Sequence, residues 1–436
     1  MELHMLNHKR RLSTGCEKEP QPCAKKCFTS VHTLLDRYQT HHSYGATQHT
    51  TLRANCGGHL CTCEAENLTT GFFEQISSWS DTQCSVEKIL DHLEVKENTD
   101  AILLDNRVNK KFLEFHRDIT EECGAEEKQH SWAVVEKREE IVMYGPYYPN
   151  YSKGEHSEDF IIKQTQELLE DDFSRDWKVY VFTMNSPCLA RNINPCMINL
   201  VQKAQEWWRV YGVKTHIGFV RCWGFKGSKE TLFRDINYSQ VDCINQTENH
   251  EEYVKAATDR TDLNPLCKNL SSAVKRLLRS VNLSFPLMSI EQAQDWKCYF
   301  KKTHSIYESK PEDEKKDLTQ KLNAAIGAAQ ALLSEKIGSF DEHLESGKAF
   351  TLDQTFGFSV SDVLRDEVSL TFQQCWKEMV QDKYAEFIRG KLMEEFNQCA
   401  VQLFIKDIVK FTNEYLHIGR IQFSEEESKG QKLFGN

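Results

Sequence analysis

The chain has 436 residues, a formal net charge of −11, 39% hydrophobic and 27% charged residues. That length holds two or three compact units, the composition excludes a disordered protein, and no apolar run is long enough to cross a bilayer. The acidic total excludes a general electrostatic binder of nucleic acid, so any phosphate contact has to come from a local patch.

Residues 1–70 lack apolar periodicity and are expected to form a flexible tail. Cys16, Cys23, Cys27, Cys56, Cys61 and Cys63, with His41, His42 and His59, do not make a paired Cys-x-x-Cys module. Met1 to Arg11 is polar and basic without the apolar core of a secretory signal, which predicts a cytoplasmic or nuclear location. The sixteen cysteines show no repeating framework, and the sequons at Asn67, Asn150, Asn245, Asn269 and Asn282 are read as chance matches.

Helical spacing begins at Phe72 and Phe73 and runs through Val86, Ile89, Leu90 and Leu93. A second helix is expected over residues 100–116, so 71–130 reads as a helical lead-in. The period then changes to that of strands at Trp132 to Lys137 and Ile141 to Tyr144, with a charged turn between them. A helix follows over 156–169, a strand over 177–184, a helix over 195–211 and a strand over 215–223. Residues 131–284 are therefore an α/β domain with helices packed on a sheet. From 285 to 436 the apolar positions return to helical spacing, first Leu364, Val368, Phe372, Trp376 and Met379, then Phe396, Val401, Phe404, Ile408 and Leu416. This predicts a separate all-helical C-terminal domain burying its own stripe, or alternatively a surface for a protein partner or self-association.

The chemistry is concentrated in the α/β stretch. His156-Ser157-Glu158 is followed by Pro187-Cys188 and Pro195-Cys196. One imidazole, two ionisable thiols and an open fourth position meet the needs of a catalytic zinc ion, and a carboxylate left outside the coordination sphere can move protons. His156 and Cys196 each stand near the start of an expected helix, where the helix dipole favours a thiolate. Cys222 is the rival thiol.

In order and residue type this pattern resembles the zinc-dependent cytidine deaminase-like superfamily, closest to the AID/APOBEC-like deaminases, whose signature is His-x-Glu followed by Pro-Cys-x-x-Cys. The resemblance covers about Ser131 to Leu283. It implies a cytidine deaminase-like three-layer α/β fold and Zn²⁺ held by His156, Cys188 and Cys196, with Glu158 as the catalytic acid–base. Ser186-Pro187-Cys188 matches the family's Ser-Pro-Cys, although Asn185 stands where the family usually has Trp. Seven residues, from Leu189 to Pro195, separate the two cysteines, where the usual pattern has two.

The resemblance implies substrate contacts from Asn150, Asn185 and Ser186, and from Trp223 and Phe225 in a basic, aromatic loop after the last strand. The expected activity is hydrolytic conversion of cytosine to uracil in single-stranded DNA or RNA. A free pyrimidine nucleoside or nucleotide is the alternative substrate. A non-catalytic interaction protein stapled by zinc is the alternative class.

Overall fold

The computed structural model describes residues 10–13 and, with short breaks, 71–423. The expected tail and its cysteines therefore lie outside the described residues, apart from Arg10–Ser13. The described chain forms two compact units. The first takes residues up to Ile89, then Lys96–Lys229, and those from Phe396 onward. The second takes Leu90–Val95 and Glu230–Glu395.

The first unit is built on a mixed sheet of strands β1 (Arg10–Ser13), β2 (Ser131–Glu136), β3 (Ile141–Tyr147), β4 (Lys178–Asn185), β5 (Lys214–Arg221) and β8 (Leu416–Arg420). Their order is β1-β3-β2-β4-β5-β8. Strand β2 is antiparallel to both neighbours, while β4, β5 and β8 run parallel. Ala133, Val135, Val179 and Val181 are completely buried, which explains the near-continuous apolar runs of β2 and β4: both faces of these strands are covered.

The alternation of side chains assigns the two faces. Trp132, Val134, Met143, Tyr180 and Phe182 form one core with Val108, Phe112, Phe115 and Ile119 of a helix over Asn106–Cys123. Ser131 and Tyr144, on the opposite parity, hydrogen-bond to Ser157 and Thr165 of the helix over Ser157–Glu170. That helix and the one over Cys196–Tyr211 make the third layer. This is the expected cytidine deaminase-like three-layer α/β arrangement.

Two boundaries differ from the sequence reading. The helix expected from residue 100 starts at Asn106, because the Asp105 carboxylate caps it by accepting the backbone N–H groups of Arg107 and Val108 at 2.9 and 3.1 Å. The last helix ends at Thr412, and Leu416–Arg420 becomes strand β8 against β5, with Ile217 opposite Ile418.

The second unit is mainly helical, with a short pairing of β6 (Phe285–Pro286) and β7 (Ile337–Gly338). Helices over Glu312–Leu333, Phe340–Asp353 and the portion of Asp362–Thr412 up to Glu395 belong to it. Leu364, Val368, Phe372, Trp376 and Val380, spaced every four residues, share one core with Trp296, Phe300, Leu318, Leu322 and Ile326. Gly347 is sterically required here. A Cβ at that position would lie 1.9 Å from the Trp376 indole nitrogen, which donates to the His343 carbonyl at 2.9 Å.

Candidate metal centre

His156 stands immediately before the helix over Ser157–Glu170, as its N-cap. The Asp159 carboxylate reaches back to accept the His156 backbone N–H at 2.8 Å, closing half of a capping box. This fixes the start of the helix and the placement of both His156 and Glu158. Glu158 is 3% exposed, on the helix face turned toward the sheet. Its two oxygens face hydroxyls, Oε2 accepting from Ser157 at 3.1 Å and Oε1 lying 3.4 Å from Thr183 Oγ1.

The two cysteines arrive from one strand end and one helix start. Cys188 follows β4, and Cys196 is the first residue of the helix over Cys196–Tyr211. No side chain of the N-cap, Pro195, satisfies the first turn of that helix; Cys188 does so instead. Its sulfur accepts the Cys196 backbone N–H at 3.4 Å and its carbonyl accepts that of Met197 at 3.1 Å. The contact that brings the two cysteines together is the docking of Cys188 on the helix end.

His156 Nδ1 lies 3.7 Å from Cys188 Sγ and 3.3 Å from Cys196 Sγ, and all three ligand atoms fall within 4.8 Å of one another. A tetrahedral zinc with ordinary Zn–N and Zn–S bonds has N–S edges of about 3.5 Å. Both the donor set and its spacing fit such an ion. Cys222 is not in the cluster; burial raises its pKa.

The hydrogen bond from Cys196 pulls the Cys188 pKa down to about 5 and holds the Cys196 thiol well above its usual range. Burial pushes the Glu158 carboxyl up to about 7, against the pull of the helix start and of His156. A carboxyl balanced in that way can both accept and donate a proton near neutral pH.

The cluster opens into a cavity of about 360 Å³. Asn185, Ser186 and Trp223 line it, together with Glu158, His156 and Cys188. Two expected contacts fall elsewhere. Phe225 is 1% exposed, packs on Phe396 and is not a lining residue. The Asn150 carbonyl oxygen of the side chain accepts from Ser152 at 2.7 Å, and Asn150 is not a lining residue, although its neighbours Pro149 and Tyr151 are.

Sequence reasoning missed Gln129, Tyr151 and Arg191, which line the cavity together with Lys226 of the basic, aromatic loop. Gln129 accepts the Asn185 backbone N–H at 3.0 Å and donates to Thr183 at 3.3 Å, holding the strand end beside Glu158. Lys226 lies over the Trp223 ring, 5.0 Å from its centroid. The turn that carries both needs Gly224, whose φ is +55° and whose Cβ would sit 2.9 Å from the Asn397 carbonyl.

Comparison with known proteins agrees with this geometry. The family described as Secreted Novel AID/APOBEC-like Deaminase 3 matches residues 41–418, and the chain belongs to it. No curated protein and no solved structure gives a significant match. The family's description as secreted overturns the expectation of a cytoplasmic or nuclear location. That expectation weighed the polar character of Met1 to Arg11 above the sequons, and of these Asn245 is exposed on the surface. Among the described residues no helix is long and apolar enough to cross a membrane.

Proposed function

We propose that this AID/APOBEC-like deaminase is a zinc enzyme that hydrolyses cytosine to uracil in single-stranded DNA or RNA. The observation that carries the reading is Glu158: a buried carboxyl, within reach of a His-Cys-Cys donor set yet outside it, on the wall of an open cavity. A zinc ion used only as a structural staple has no need of a carboxylate there, which argues against the non-catalytic alternative.

His156, Cys188 and Cys196 would hold the ion, which when bound supplies a water able to ionise near neutral pH. The chain's own groups do the rest. Glu158 takes a proton from the attacking water and delivers it to the ring nitrogen N3, then passes the proton of the hydroxyl added at C4 to the amine, so that the C4–N bond breaks, ammonia leaves and the C4 carbonyl forms. Ser186 and Asn185 border the space for the base. Trp223 offers a partly exposed aromatic face with Lys226 over it, which suits a base and a phosphate next to the target.

Free cytidine is the second reading. It is supported by a cavity of nucleoside size and by the acidic total charge. The test compares native protein with Glu158→Ala on cytidine and on single-stranded oligonucleotides, with metal analysis of both proteins. The expected result is one zinc per chain in both and a fall in turnover of about 10²- to 10⁴-fold in the variant. Zinc in the native protein with no turnover of any cytosine substrate would refute the proposal.

A further inference from the structure

The spacer between the two cysteines carries a side chain that closing the loop does not require. Arg191 turns back over the site with its side chain 15% exposed. Its Nη1 and Nη2 donate to the two oxygens of Asp159 at 3.1 and 2.9 Å, a bidentate pair. Nη2 also donates to the Gly154 carbonyl. Nη1 lies 3.6 Å from Cys196 Sγ. Asp159 is the same carboxylate that accepts the His156 backbone N–H. One guanidinium therefore joins the spacer, the segment leading into His156, the first turn after it, and the sulfur of Cys196.

A thiol is a weak acceptor, whereas a thiolate bound to a cation takes a hydrogen bond readily. The planar fork of an arginine can serve a carboxylate and a sulfur together, which a lysine ammonium on a flexible stem cannot hold in one geometry. The ordinary deaminase pattern closes its cysteine pair with two residues. Here seven residues separate the pair, and Arg191, one of them, is placed to hold the second sulfur in register with the imidazole.

We propose that Arg191 is a positioning residue for the metal: bound to Asp159, it donates to the Cys196 sulfur and sets that ligand and His156 at the spacing the ion requires. This rests on the reading of His156, Cys188 and Cys196 as zinc ligands.

The test uses the full chain and variants Arg191→Met, Arg191→Lys and Asp159→Asn. Zinc is titrated against a chelator, and the cobalt-loaded forms are read by their thiolate-to-cobalt absorption. Arg191→Met is expected to bind zinc about 10- to 100-fold more weakly, the range for partners that orient a ligand. Its cobalt band should move to lower energy as the thiolate loses its hydrogen bond. Asp159→Asn, which keeps the arginine but frees its fork, should shift both readouts in the same direction, and covers the case in which Arg191→Met does not fold. Arg191→Lys should remain close to Arg191→Met; full recovery by lysine would refute the fork. Native zinc affinity and an unmoved band in Arg191→Met would overturn the proposal, and a loss confined to oligonucleotide turnover would make Arg191 a phosphate contact instead. If native protein takes up neither zinc nor cobalt, the zinc reading itself fails, a result distinct from all of these.

Discussion

Ser186 is buried at the edge of the cavity, and its hydroxyl oxygen accepts the Trp223 backbone N–H at 2.8 Å. Its own backbone N–H donates to the Arg221 carbonyl at 2.6 Å. The residue thus ties the strand end before Cys188 to the loop that carries Trp223 and Lys226. Ser186→Ala removes the acceptor and strands a backbone donor, at a cost of about 1–3 kcal/mol. The displaced side chain would be Trp223, which our reading places beside a neighbouring base. Denaturation midpoints should fall accordingly, and turnover of oligonucleotides should drop more than turnover of cytidine. Equal loss on both substrates would assign the hydroxyl to the target base.

At the scale of elements, β5 and β8 meet side by side at His216 and His417, whose Nδ1 atoms are 3.1 Å apart. Tyr180 stacks on His216 with ring centroids 4.8 Å apart. Burial pushes the His216 pKa down to about 4, so the folded state refuses a proton that the unfolded chain accepts at its usual value near 6.5. The sign follows: this contribution to stability is complete above pH 6.5 and is lost as pH falls toward 4, about 3 kcal/mol in all. His216→Phe keeps a flat ring against Tyr180 and leaves the exposed His417 to water. Melting temperature measured between pH 6.5 and 4 should fall less in the variant than in the native chain. Parallel curves would exclude His216 as the origin of the slope.

The same pair of strands marks where the sequence stops being legible. Strands β2 and β4 were readable because their apolar runs are short, β-branched and bounded by charged or turn residues. Strand β8 was not, since Phe404, Ile405 and Ile408 lead into Leu416 at helical spacing with no glycine or proline between, and its partner β5 lies about 200 residues earlier. The donor set was visible as residue types in order, and the spacer's effect was not, because the docking of Cys188 on the next helix is a tertiary contact. Gln129, Thr183 and Arg191 left no motif at all; each acts through a partner distant in sequence.

At the scale of the whole molecule, the net charge of −11 opposes any polyanion, so productive binding depends on what surrounds the cavity. Lys226 lines the cavity and is exposed, with exposed Arg221 and half-buried Lys229 on the same loop, while Arg191 is already committed to Asp159. Two or three phosphate contacts to a single strand release about 0.7 counterions each, giving a slope of about −1.4 to −2 in log affinity against log salt. A DNA- or RNA-editing enzyme of this build should show that slope with a short cytosine-containing oligonucleotide bound to zinc-loaded Glu158→Ala, and Lys226→Ala should flatten it by roughly one contact. Cytidine, which has no phosphate, should bind with almost no salt dependence. If the oligonucleotide behaves like cytidine, the acidic surface has prevailed over the local patch, and the natural substrate is the free nucleoside.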